Sequence, residues 1–187
     1  GGSPPPPPPP GCHPSPGVAA APPPPRDSEG SHGVIEPGLA QRMSAGRGIR
    51  HSEMNASVTA PVRLVQMWVL PDSPGIDPGY EQRWIGASLD EGGLVPVASG
   101  RGHDGAVTIH QRDAVCWVAR PAPSATVTVP DAPTAHLYVA RGTVNLEDVG
   151  PLGEGDAARL TAAGTRAVTA GPDGAEVVLW ETAAHSG

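Results

Sequence analysis

The chain has no lysine and no phenylalanine among its 187 residues, and only two cysteines. Its twelve basic residues are all arginine, against nineteen acidic ones, for a net charge of −7. An acidic chain without a basic cluster is a poor fit to direct nucleic-acid binding. Cys12 and Cys116 stand far apart and form no CxxC pair, which excludes a disulfide framework and a cysteine metal knuckle. No basic patch followed by an apolar stretch marks a leader peptide at the start. The longest strongly apolar run, Leu64 to Leu70, is too short to span a bilayer. The expectation is a soluble cytoplasmic protein that makes no membrane contact. Without phenylalanine, the core is expected to rest on Val, Leu, Ile and the four tryptophans.

What the chain has in plenty is proline and glycine, 25 of each. Pro4 to Pro10 and Pro22 to Pro25 are unbroken proline runs. Proline lacks the N–H that a sheet ladder needs, so residues 1–25 read as a disordered or polyproline II segment. Composition of this kind suits a linker, or a ligand for SH3-like or WW-like domains.

From Arg26 onward the texture is β. Short apolar stretches alternate with Gly, Pro, Asp and Asn. The spacing predicts strands at Gly33–Ile35, Gly48–Glu53, Val62–Leu70, Tyr80–Ile85, Leu94–Ala98, Ala106–His110 and Ala114–Ala119. Further strands are expected at Thr126–Val129, His136–Ala140, Thr143–Leu146, Ala157–Leu160, Arg166–Thr169 and Glu176–Trp180. Turn signals separate them, among them Arg141-Gly142 and Asp173-Gly174. No stretch shows helical periodicity with caps. Many short strands at close spacing predict an all-β sandwich or barrel. Val62–Leu70 is apolar at almost every position after Arg63, which predicts a strand buried on both faces. Pro71 to Gly79 reads as a connector, and a boundary between two β units falls at residues 86–93.

The stretch 33–55, GVIEPGLAQRMSAGRGIRHSEMN, carries the chemistry. It ends in His51-Ser52-Glu53. On a strand, residues i and i+2 share a face, so His51 and Glu53 would project together. An imidazole beside a carboxylate suits a borderline divalent metal. Two ligands alone do not complete a site, and the same pair also fits a hydrogen-bonded couple on a barrel rim.

The run PGLAQRMSAGRGIRHSEMNAS, followed by VQMWVLPDSPGIDPGYEQR with its Tyr80-Glu81-Gln82-Arg83 hallmark, resembles the pirin family of double-barrel cupins. The segment 136–164 is similar in style to the second, metal-free barrel of that family. The resemblance implies two cupin-type β-barrels of jelly-roll form, the first one incomplete here. The implied domains are the Pro-rich segment 1–25, an N-terminal barrel with connector over 26–86, and a C-terminal barrel over 87–187.

It also implies a metal held by a His-x-His pair from a first motif together with His51 and Glu53. Glu53 would then be both a ligand and the catalytic carboxylate. Fe(II) is the expected ion, with Mn(II), Ni(II), Cu(II) and Zn(II) as alternatives. Counting outward from Arg26-Asp27-Ser28-Glu29-Gly30 puts the first pair inside Pro4 to Pro10, where there is no histidine. His13-Pro14-Ser15 is out of register. Metal binding is therefore expected to be weak or absent. The abrupt change at Arg26 reads as a fragment or a frameshifted start, or else as a variant that has lost its metal.

The implied activity is quercetin 2,3-dioxygenation of a flavonol-like small molecule. The alternatives are a metal-dependent module that binds a protein partner, and an inactive fragment. Other residues carry plainer expectations. His32 and His103 read as surface residues near turns. His110 and His136 lie at strand ends without partner spacing. Cys116 reads as a buried small hydrophobe. Asn55 is suited to bonding a turn or orienting a ligand. Glu81 and Arg83 share a strand face and are expected to pair at a seam.

Overall fold

The structure is a computed structural model that describes residues 37–46, 48, 57, 59, 61 and 63–183. Ten strands and one short helix make it up: β1 Leu39–Ser44, β2 Gly79–Trp84, α1 Gly86–Leu89, β3 Val95–Ser99, β4 Val107–Thr108, β5 Val115–Ala119, β6 Thr126–Val129, β7 Thr134–Leu146, β8 Gly150–Leu152, β9 Ala157–Thr161 and β10 Arg166–Thr182. The all-β expectation holds. The single helical turn falls where the boundary between units was expected.

β1 and β2 form an antiparallel pair on their own, with Arg42 opposite Glu81. The other eight strands join in one sheet organised by β7 and β10. These two run antiparallel along almost their whole length, and each changes neighbours halfway. β10 pairs with β6 over residues 166–169 and with β5 over 177–181. β7 pairs with β9 over 134–138 and with β8 over 144–146. The ladder therefore folds into two faces that share their central strands.

The bend between the faces is made by bulges. Residues 171–174 of β10 stand opposite Thr143 alone, and Ala140 is an extra residue on β7. A bulge adds residues to one strand and turns its direction. The sequence placed chain reversals at Arg141-Gly142 and Asp173-Gly174. The structure corrects both, because each dipeptide lies within a continuous strand. The four strands expected around them are two long ones. Gly142 and Gly174 have φ of +75° and +76°, which a bulge needs as much as a hairpin does.

Strand alternation sorts the apolar side chains into two clusters. Leu137, Val139, Val177 and Leu179 meet Val127, Val129, Val144, Leu146 and Val168 between the two faces. The neighbours of opposite parity, Cys116 and Val178, meet Val97, Ile85 and Leu89 on the outer side. β5 and residues 177–181 of β10 are thus buried on both sides, whereas β7 exposes His136, Arg141, Thr143 and Asn145 on one. Tryptophan contributes less than expected. Trp68 and Trp84 are exposed, and Trp117 and Trp180 only line the cluster margins. Val, Leu and Ala fill the core instead.

Val62–Leu70 is corrected as well. Its described residues, 63–70, make no ladder. Val65 and Met67 rest on the outer cluster, and Trp180 donates its indole N–H to Met67 Sδ at 2.9 Å. Leu64, Trp68, Val69 and Leu70 face outward, Leu70 at 86% exposure. The segment packs at the seam on one side only.

Its end is clipped to the eight-stranded unit. Asp72 donates its backbone N–H to the His110 carbonyl at 2.8 Å. Its carboxylate accepts the backbone N–H of Arg112 at 2.7 Å and the Arg112 Nε at 3.3 Å. The backbone donor, then the guanidinium, hold the Asp72 carboxyl below its ordinary value of 3.8. A carboxyl depressed on folding adds stability that is fully present above the unfolded value and is lost as pH falls through the folded one. Amide protection at Asp72 and Arg112, taken relative to the intrinsic exchange rate at each pH, should therefore be high at neutral pH and fall as pH drops below 3.8. Asp72→Asn should remove that acid-end response. An unchanged response in the variant would show that another group controls the clip.

Candidate functional site

His51 and Glu53 lie outside the described residues, as do Asn55 and His32. What the structure fixes is the lead-in to the motif. β1 ends at Ser44, and Gly48 N–H closes a turn onto the Ala45 carbonyl at 2.8 Å. Gly46 has φ +54° and sits where a Cβ would be 2.5 Å from the Ile76 carbonyl oxygen and 2.6 Å from Pro78 N. Only glycine allows that approach. The turn before the motif is thereby packed against the connector that follows it.

The Tyr80–Arg83 stretch lies within β2, and its Glu81 ties the two sheets together. Glu81 Oε2 accepts the Thr108 backbone N–H at 2.9 Å, reaching from the two-stranded sheet to β4. The same carboxylate takes Arg83 Nη2 at 2.9 Å and Arg42 Nη2 at 3.5 Å. Glu81 and Arg83 do pair, as expected from their shared face. Gln41 donates to the Tyr80 hydroxyl, which donates to Gln82 Oε1 at 3.0 Å. Glu81 is thus the hallmark side chain that serves as a seam between the sheets.

The histidines of the eight-stranded unit form no metal cluster. His110 and His136 are exposed. His103 is part-buried, which corrects the expectation of a surface residue. Its Nδ1 lies 2.8 Å from Ser99 Oγ, and its ring meets Trp117 edge-on at 5.0 Å. Ser99 Oγ already accepts the Arg101 N–H at 3.0 Å and the His103 N–H at 3.5 Å. Its one hydrogen is therefore directed at Nδ1, which occupies that nitrogen. Trp117 Nε1 donates to Glu181 Oε2 at 3.1 Å, and Arg101 pairs with the other carboxylate oxygen. This loop-fastening network was not foreseen from the sequence. Cys116 is fully buried, and burial alone pushes its thiol pKa far up, so it behaves as a small hydrophobe. Among the described residues, no three His, Cys, Asp or Glu side chains come together as a metal site. No helix among them is long and apolar enough to cross a membrane.

A bent β roll built on two shared long strands, preceded by a short ladder and a motif of imidazole and carboxylate, defines a cupin-type protein. Comparison with known proteins narrows this. Residues 25–69 match the Pirin family profile, and residues 96–181 match the profile described as a quercetinase C-terminal cupin domain. The chain is similar to a Mycobacterium tuberculosis protein named "Putative quercetin 2,3-dioxygenase Rv0181c", with 52% identity over 163 residues. That match covers 87% of this chain and 66% of the relative. The crystal structure of YhhW from Escherichia coli superposes with a TM-score of 0.76 at 30% identity, covering 87% of this chain and 68% of that one. The bacterial pirin YhhW in complex with nickel(II) gives a TM-score of 0.75 at 28% identity, covering 86% and 68%. The chain belongs to the pirin family. It spans about two thirds of the length of these relatives.

Proposed function

We propose that this chain carries half of a pirin metal centre, and that the chemistry of the complete centre is metal-dependent dioxygenation of a flavonol such as quercetin. The observation that carries this reading is the position of His51 and Glu53 inside the stretch that matches the Pirin profile. The relative named as a quercetin 2,3-dioxygenase and the nickel-bound pirin support the substrate class and the metal. Within this reading the domains divide at residues 25/26 and 86/87, with an incomplete first barrel ahead of the roll.

The fit of a metal to the residues present is partial. The roll cannot hold the ion, because Val, Leu and Ala side chains fill its interior. Its histidines join no cluster of donors. That leaves His51 and Glu53, which have the donor chemistry for Fe(II), Mn(II), Ni(II), Cu(II) or Zn(II) but are only two donors. A bound metal would supply Lewis-acid polarisation of the flavonol oxygens. His51 would hold the ion through its imidazole. Glu53 would hold it or take the proton of the substrate hydroxyl. With no His-x-His at the expected register, the chain should bind metal weakly.

Equilibrium dialysis against Ni(II) or Fe(II), read by elemental analysis, should show weak uptake that His51→Ala or Glu53→Ala abolishes. Quercetin ring opening should not exceed that of metal alone. Restoring a His-x-His segment at the register of Pro4 to Pro10 should raise both metal uptake and turnover. Uptake without turnover in the restored chain would sink the dioxygenase reading. It would leave the second one, a metal-dependent module that docks a protein partner. The outward row Leu64, Trp68, Val69 and Leu70 favours that alternative, because contiguous exposed apolar side chains mark interaction surfaces.

A further inference from the structure

A cleft of about 280 Å³ opens where β2 and α1 meet β3 and the turn at residues 104–105. At roughly 30 Å³ per water-sized group, it holds about nine such groups. Three kinds of wall surround it. Ile85, Leu94, Val95 and Pro96 are apolar, Trp84 is aromatic, and Glu91 and Asp104 are acidic. No arginine lines it among the described residues, and the chain has no lysine.

The backbone that carries these groups is held in place. Trp84 is 59% exposed, yet its ring lies over Gly86, where a Cβ would come within 2.8 Å of Cζ2. Gly38 lies under the same ring, a Cβ there being 3.6 Å from Cη2. The Gly38 carbonyl also accepts the Ile85 N–H at 2.8 Å, which fixes the backbone beside the indole. Asp104 follows His103, whose ring is fastened by Ser99 and Trp117. Glu91 follows α1, which is anchored by Leu89 at 2% exposure, and its N–H bonds the Ser88 carbonyl at 3.3 Å. Neither carboxylate has a hydrogen-bond or ion-pair partner among the described residues. Glu81, Glu176 and Glu181, by contrast, are each matched to an arginine.

An exposed indole, two unmatched carboxylates and apolar side chains lining one cleft are complementary to one kind of molecule. We propose that this cleft binds a small organic cation, an alkylguanidinium or alkylammonium of about nine heavy atoms. The cationic head is drawn to the carboxylates and to the indole face, which attracts cations through its ring quadrupole. The alkyl stem lies along Ile85, Leu94 and Pro96. The inference does not depend on the metal reading, since none of these residues belongs to it.

The test uses the full chain and agmatine, with 1-pentanol and valerate as neutral and anionic controls, by isothermal titration calorimetry. Agmatine should bind saturably in the millimolar range or tighter, and neither control should. Glu91→Gln with Asp104→Asn should weaken agmatine at least tenfold. Both residues are exposed, so the thermal midpoint should stay where it is. Trp84→Ala should also weaken binding, and if that variant unfolds the carboxylate pair still decides the matter. Absence of saturable binding would overturn the proposal. So would equal binding of 1-pentanol, or affinity indifferent to the double substitution.

Discussion

Replacing Leu179 with alanine should lower the unfolding free energy by about 2–5 kcal/mol. Leu179 is 1% exposed and sits on β10 between Trp117 of β5 and Leu137 of β7. Both of its neighbours are held by ladder hydrogen bonds, so the strands cannot close in on the space left behind. The lost transfer energy and the cavity add together. Domains of this kind have a total stability of only about 5–15 kcal/mol, so the change is a large fraction of the whole. Urea unfolding should show a lower midpoint with an unchanged slope. Leu70→Ala is the matched control, because Leu70 is 86% exposed and should shift stability by no more than about 0.5 kcal/mol. Similar costs at the two positions would mean that the core is not centred on β10.

Gly142→Ala should be of comparable severity for a different reason. The position has φ +75°, which costs an L-residue about 1–2 kcal/mol. A Cβ there would stand 2.4 Å from the Gly174 carbonyl oxygen and 3.2 Å from Ala175 Cα. Both obstacles are backbone, so no side-chain rotation relieves them, and the overlap adds about 1–3 kcal/mol. Gly75 separates the two contributions. It has the same φ of +75°, and nothing lies within 4 Å of its Cβ position. Gly75→Ala should show only the conformational cost. Equal losses in the two variants would show that the bulge between β7 and β10 yields more readily than its geometry suggests.

Much of the β pattern was readable because alternation reports one buried face. Thr126–Val129 has the expected bounds, Val115–Ala119 and Ala157–Thr161 are displaced by a residue at one end, and Val95–Ser99 is shifted by a residue at both. The failures have local causes. A run such as 62–70, apolar at nearly every position, is the same string whether both faces are covered or one is open. The partner that would cover the second face is not encoded in the run itself. Arg141-Gly142 and Asp173-Gly174 deceived because a hairpin and a bulge make the same demand for positive φ. The flanking motif made the family legible, while the half-site at His51 and Glu53, outside the described residues, stands as a proposal. The Arg101–Glu181 and Trp117–Glu181 contacts were not legible, since they join residues 80 and 64 positions apart with no local signature. Trp84 was passed over for a related reason. Its significance comes from the glycines beneath it and the carboxylates that face the same cleft.

The placement of β10 has a consequence for how the chain acquires this shape. Its three ladder partners, β5, β6 and β7, all precede it in the sequence. During synthesis those strands emerge with their central docking edges bare, and they wait until residues 166–182 follow. The pairings are long-range, so loop closure has to be spent before any ladder bond rewards it. A nascent chain in that interval displays open, Val-rich edges, the template on which strands of other chains add. Assembly should therefore be slow and concentration-sensitive, with the hazard falling in the window before the final long strand arrives.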